Sequence, residues 1–190
     1  MILHTICRIF YELFAQRAYE EDREFWKEAA AASRAYLHSA CHEKTGLSAE
    51  YADYDGKPHT GHKEIFGRHD WYYSDAYRTI ANIAMDHLWF DADPWQINTA
   101  ERLQKFYCED QKDNWDGVFL IDGTPLDEKA LHPVAIIAVN AEASLAADGK
   151  YAKQCVEKFW NTPLAGDRRY YDNFLYMFAM LALSGNYRIY

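Results

Sequence analysis

Apolar residues recur at three- and four-residue intervals through most of this 190-residue chain, and that period commits it to helices. Phe10, Leu13, Phe14 and Ala18 share one side of a segment from Tyr11 to Tyr19. Phe25, Trp26, Ala29, Ala32, Ser33, Tyr36 and Leu37 line a longer one, opened by Asp22 and running to about Cys41. Ser74 to Phe90 is the third, with Ile80, Ile83, Ala84 and His87-Leu88 along it. Asp93-Pro94 opens a fourth, ending near Glu109, because Asp caps a helix and Pro suits its first turn. Pro133 starts a fifth, to about Ala147, whose small apolar residues imply burial. Tyr151 to Trp160 is the sixth, followed by a turn over Pro163 to Arg168. Tyr170 to Ser184, stopped by Gly185, is the seventh. The expected fold is all-α, about seven helices with long functional loops. Paired helices with such loops at one end suggest an α/α toroid or part of one. A plain helical bundle stays open, because helix content does not fix topology.

Two connections are long. The stretch from His42 to Tyr72 is polar and holds four Gly and a Pro. The second runs from Gln111 to Lys129, where a strand pair around Val118–Ile121 could turn at Asp122-Gly123. Loops of this length are usually functional. His59, His62 and His69 with Asp70 lie in the first, as metal ligands, sugar contacts or solvated side chains.

Charge narrows the partners. Twenty basic residues face 29 acidic ones, for a net charge of −9. That balance argues against nucleic acid and against an anionic membrane surface, both of which want clustered Lys and Arg. No apolar run reaches the ~18–20 residues of a membrane span. Met1 to Phe10 lacks the basic region and small-residue cleavage site of a signal peptide. Cys7, Cys41, Cys108 and Cys155 are scattered and form no C-x-x-C pair, so reduced thiols in a cytoplasmic protein are expected. His38, Cys41 and His42 have helical spacing but no fourth ligand nearby. No glycine-rich phosphate loop or nucleophile elbow occurs. No metal and no cofactor is expected.

The densest chemistry lies in Trp71-Tyr72-Tyr73-Ser74-Asp75-Ala76-Tyr77-Arg78. Ser74 is a candidate N-cap, which would place Asp75 in the first helical turn, where backbone N–H groups favour a carboxylate. Arg78, three residues on, shares its face and can hold that carboxylate or a water. An ionised, oriented acid beside flat rings is what sugar hydrolysis asks of a general base. A local ion pair at a helix start explains the same residues. The aromatic share of 16% suits either a core or a groove that stacks sugars.

Read together, four ordered segments resemble glycoside hydrolase family 8. They are Tyr11-Glu12-Leu13-Phe14-Ala15, Ser74-Asp75-Ala76-Tyr77-Arg78, Ala130-Leu131-His132-Pro133-Val134, and Arg168-Arg169-Tyr170-Tyr171-Asp172-Asn173 with Ala182-Leu183-Ser184-Gly185-Asn186-Tyr187. The resemblance is to the reducing-end xylose-releasing exo-oligoxylanases of that family, and to their carboxy-terminal half. It spans about Phe10 to Tyr190 and leaves Met1 to Ile9 as an unmatched lead-in.

The resemblance implies an (α/α)6 barrel and hydrolysis of β-1,4-xylo-oligosaccharides with inversion. It implies that Asp75 is the general base and that Arg78 orients it and its water. Leu131-His132-Pro133 would be the kinked loop that blocks the far side of the reducing-end subsite, with His132 bonding the terminal xylose. A capping or core role explains His132 equally. Tyr11 would line the catalytic centre, and Trp71, Tyr72 and Tyr73 would be subsite rings unless they are core. The family's acid is a glutamate of the other half, and no residue here takes that role. The chain alone is then expected to be inactive or weakly active. A non-catalytic xylo-oligosaccharide-binding remnant and a helical interaction protein remain alternatives. A half-toroid would also expose faces meant for its missing partner, with Ile136, Ile137, Val139, Leu175, Met177 and Phe178 expected in them. Self-association would follow.

Overall fold

A computed structural model describes residues 2–3, 8–61, 67–112, 114–164 and 169–190, with side chains from Ile9 onward. His62, Cys7 and Arg168 lie outside them. Helices dominate: α1 (Arg8–Arg17), α2 (Arg23–Ala40), α3 (Tyr77–Phe90), α4 (Trp95–Lys105), α5 (Pro133–Glu142), α6 (Ala152–Trp160) and α7 (Arg169–Leu183). Several ends follow local chemistry. Asp93 Oδ1 accepts the Trp95 N–H at 3.0 Å and opens α4, as the Asp-Pro pair predicts. Helix α4 runs into a single π turn, Phe106–Asp110. Asp22 makes no side-chain cap at α2.

The molecule is mostly rather than wholly helical. Strands β1 (Ile2–Leu3) and β2 (Tyr51–Ala52) pair antiparallel, and β3 (Trp71–Tyr72), β4 (Gly117–Leu120) and β5 (Pro125–Lys129) form a second antiparallel sheet in that order. The β4–β5 hairpin turns at Asp122-Gly123, where Gly123 takes φ +93°, a conformation glycine adopts without steric cost. Trp71 pairs with Leu120 and Tyr72 with Phe119. This distant pairing makes strands of a loop whose own sequence shows no alternating run.

Helix α5 sits at the centre. Every residue from Val134 to Glu142 is buried, packed among α3, α6 and α7. Ile136, Ile137, Val139 and Leu175 therefore belong to the core and not to open faces, while Met177 and Phe178 are exposed as expected. The chain covers its own most apolar helix. Beneath the sheet Tyr72, Tyr77, Phe106, Tyr107, Trp115 and Phe119 form an aromatic layer. Tyr107 stacks on Trp115 at 4.9 Å, and Phe106 meets Phe119 edge-on at 5.0 Å. Much of the aromatic content is thus structural. Elsewhere Arg34 of α2 grips Asp86 of α3 through two 2.8 Å bonds and Glu12 of α1 through one of 2.9 Å. The forked geometry is the strong form of such a pair, and it fixes three helices to one another.

Candidate active site

The amino-terminal ends of α3, α5 and α7 meet at one place, and the side chains there touch. Asp75 lies in a 3-10 turn, Ser74–Ala76, just before α3. Its Oδ2 is 2.5 Å from Arg78 Nη2, with both side chains about one-third exposed. The i,i+3 spacing puts both groups on one face, as the sequence predicts. The carboxylate is thus oriented yet open to a water or a ligand.

Ser74 does not act as the cap. Its side chain makes no cap hydrogen bond, and its backbone stands at φ +39°, a region where a side chain is strained by about 1–3 kcal/mol. A partly buried tyrosine and a buried glutamate hold the turn. The Tyr171 hydroxyl donates to the Ser74 carbonyl at 2.8 Å, and the Asp75 N–H donates to Glu50 Oε1 at 3.4 Å. The strained residue immediately precedes the candidate base.

Tyr171 also reaches the other predicted groups. Its ring lies 4.5 Å from the His132 ring and 6.0 Å from the Arg78 guanidinium carbon. Burial raises the pKa of its hydroxyl, Arg78 opposes that, and Asp75, Glu50 and Asp172 add to the rise. It therefore stays a neutral donor at any physiological pH.

The next residue, Asp172, completes the cluster. Its Oδ1 accepts the Ala135 N–H at 2.8 Å, capping α5 from another helix, and its Oδ2 accepts from His132 Nδ1 at 3.1 Å. Both His132 and Asp172 are buried. With Nδ1–H committed to a carboxylate, the imidazole is oriented and Nε2 is left for a further partner. Leu131 precedes it, half-buried, just before α5.

The remaining predicted residues are partly or fully buried. Tyr11 packs on Trp26 at 5.4 Å between α1 and α2. Tyr72 and Tyr73 are only 2% and 4% exposed. Tyr72 meets Tyr77 in the aromatic layer, and Tyr73 lies against Gly67, where any Cβ would fall 2.7 Å from its ring. Trp71 is half-buried, edge-on to Tyr73 at 6.1 Å. Glu50, Tyr171 and Asp172 are the site residues that sequence reasoning passed over. Tyr171 and Asp172 lie within a segment that already carried the family likeness, but no local pattern marks their long-range bonds.

Below the cluster, Arg78 also lines a cavity of about 260 Å³ with Asn82, Met85, Glu142, Leu175 and Phe178 among its walls. Glu142 is buried and its carboxyl is pushed up to about 8 by desolvation. Among the described residues no three His, Cys, Asp or Glu side chains are grouped to hold a metal ion, and no helix is long and apolar enough to cross a membrane. His38, one of the spaced metal candidates, is 2.7 Å from Asp93 and stacked on Trp95.

No protein-family model matches the chain. Individual proteins do. The reducing-end xylose-releasing exo-oligoxylanase Rex8A of Paenibacillus barcinonensis is 57% identical over 95% of this chain and 47% of its own length. An enzyme of the same description from Halalkalibacterium halodurans is 52% identical over 95% of this chain and 45% of its own. The structure of Rex8A complexed with xylose superposes with a TM-score of 0.89 at 56% identity, covering 97% of this chain and 48% of that one. A Glu-to-Ala variant of a reducing-end-xylose releasing exo-oligoxylanase, complexed with xylobiose, superposes at 0.87 with 50% identity, covering 98% and 48%. The chain spans about half the length of the curated relatives it matches.

Proposed function

We propose, on the premise that this chain is a homologue of the carboxy-terminal part of the reducing-end xylose-releasing exo-oligoxylanases, that it is the base-bearing half of an inverting glycoside hydrolase. The single observation that carries this reading is the contact chain Asp75–Arg78–Tyr171–His132–Asp172 at the meeting of three helix starts. Asp75 is the general base. Arg78 pairs with the carboxylate and aims it, so that one oxygen can take a proton from water attacking the anomeric carbon. His132, oriented by Asp172, bonds the reducing-end xylose through Nε2, and Leu131 closes the subsite beyond it. A chain held so releases one xylose at a time. In support, one solved Rex8A structure carries replacements at a leucine and the histidine following it.

Inversion needs a second carboxyl roughly 6.5–9.5 Å from the base, to protonate the leaving oxygen. Glu50 is buried and bonded to the backbone of Asp75, which suits support rather than proton donation to a sugar. The acid is supplied from outside these 190 residues, by a complementary amino-terminal half. That half would cover the open face of α7, where Tyr170, Phe174, Met177, Phe178 and Leu181 are exposed. Xylobiose titrated into the chain and followed by NMR tests the substrate reading. Shifts at Asp75, His132 and Tyr171, reduced by His132→Ala, are expected. Undisturbed spectra at millimolar xylobiose would overturn it.

A further inference from the structure

Two of the cysteines that look unrelated in sequence stand together in space. Cys108 lies in the π turn after α4 and Cys155 lies in α6, and their sulfurs are 3.6 Å apart. That is sulfur–sulfur contact distance, and a disulfide would draw the two sulfurs in to about 2.05 Å. The two differ in access: Cys155 is fully buried and Cys108 is partly exposed. Cys41 is buried in the core and bridges in backbone to Ser48. A single-turn π segment is itself a departure from α geometry that recurs at functional positions.

We propose that Cys108 and Cys155 are a redox modification site, closed to a disulfide by a low-molecular-weight disulfide such as oxidised glutathione. Cys108, the reachable thiol, attacks first. Its thiolate displaces one glutathione thiolate and forms a mixed disulfide. Cys155 then gives its proton to the glutathione thiolate just expelled, attacks the Cys108 sulfur, and expels the second glutathione. Two protein thiols and one glutathione disulfide become one cystine and two reduced glutathiones. Cys155 is thus the resolving thiol, poised beside the attacking one.

The bond would brace the aromatic layer. Cys108 follows Tyr107, which packs on Trp115 and reaches Tyr72 at 6.4 Å. Tyr72 lies in the strand that leads into the Ser74–Ala76 turn. Closing a loop of 47 residues also restricts the unfolded chain.

The experiment is incubation of the folded chain with oxidised glutathione, alkylation of remaining thiols, and peptide mass mapping. The expected product is one cross-linked peptide pair joining Cys108 to Cys155, short of two hydrogens and reversed by dithiothreitol. The melting temperature should rise by ~5 °C or more, since an entropic cross-link of this span is substantial. Cys155→Ser should trap glutathione on Cys108. A stable glutathione adduct on the unaltered chain, a bond from either residue to Cys7 or Cys41, or alkylation of both Cys108 and Cys155 would each overturn the proposal. The wild-type map decides the matter even where a serine variant fails to fold.

Discussion

Asp172 serves two masters at once: one carboxylate oxygen accepts from His132 Nδ1 at 3.1 Å while the other accepts the Ala135 N–H at 2.8 Å. It therefore fixes the orientation of the candidate sugar-binding histidine and the first turn of the central helix together. Asp172→Ala leaves both donors buried and unpaired. Unfolding in urea should show a loss of about 2–3 kcal/mol. Asp172→Asn keeps a carbonyl acceptor for Ala135 and should cost less than half as much. Equal, small losses in both variants would show that the bonds matter little.

Ser74 carries its strain one residue before the candidate base. Ser74→Gly removes the steric cost of φ +39° but loosens the unfolded chain, so a net gain of ~0.5–1 kcal/mol is expected. The same change frees the turn that aims Asp75, and any measured hydrolysis should fall as stability rises. A destabilised glycine variant would contradict the reading of this turn.

Glu142 gives the fold a pH dependence opposite to that of a salt-bridged acid. Its carboxyl ordinarily titrates near 4.5 and is pushed up to about 8 in the fold by burial. The native state thus binds the proton more tightly than the unfolded one. Stability is fully present below about pH 4.5 and is lost as pH rises to about 8, by up to ~5 kcal/mol if the whole shift is realised. Urea midpoints should fall between pH 5 and pH 8 in the wild type and stay flatter in Glu142→Gln. Parallel pH profiles in the two proteins would assign the effect elsewhere.

The outer face of α7 is apolar in a regular order. Tyr170, Phe174, Met177, Phe178 and Leu181 follow helical spacing and are all exposed. Contiguous apolar surface of this kind drives association. Sedimentation velocity should show mass rising with concentration, and Phe174→Glu with Met177→Glu should return the chain to monomer. A wild-type monomer across the whole concentration range would contradict this.

What could be read from sequence, and what could not, divides by range. The helix spans, the Asp93 opening of α4, the Asp122-Gly123 turn and the Asp75–Arg78 pair all depend on residues within one or two turns, and all are legible. Ser74 misleads because serine before a helix usually caps it, whereas here a tyrosine hydroxyl from 97 positions away holds its carbonyl instead. Tyr72 and Tyr73 could face a sugar or the core until the pairing of Trp71 with Leu120 places them. The apolar run of α5 predicts burial but not its cover, which comes from the chain itself. Asp172 shows no signal in isolation because its two bonds cross 37 and 40 positions.

In the proposed mechanism Asp75 acts as a base only when a complementary half brings the acid. The most direct measurement is xylose released from xylotriose by the chain alone, by the chain mixed with the amino-terminal half of a related exo-oligoxylanase, and by the same mixture carrying Asp75→Asn. Xylose should appear only in the second, and the asparagine variant should lower it by about 10²–10⁴-fold. Release by the chain alone, or an unchanged rate with Asp75→Asn, would contradict the claim.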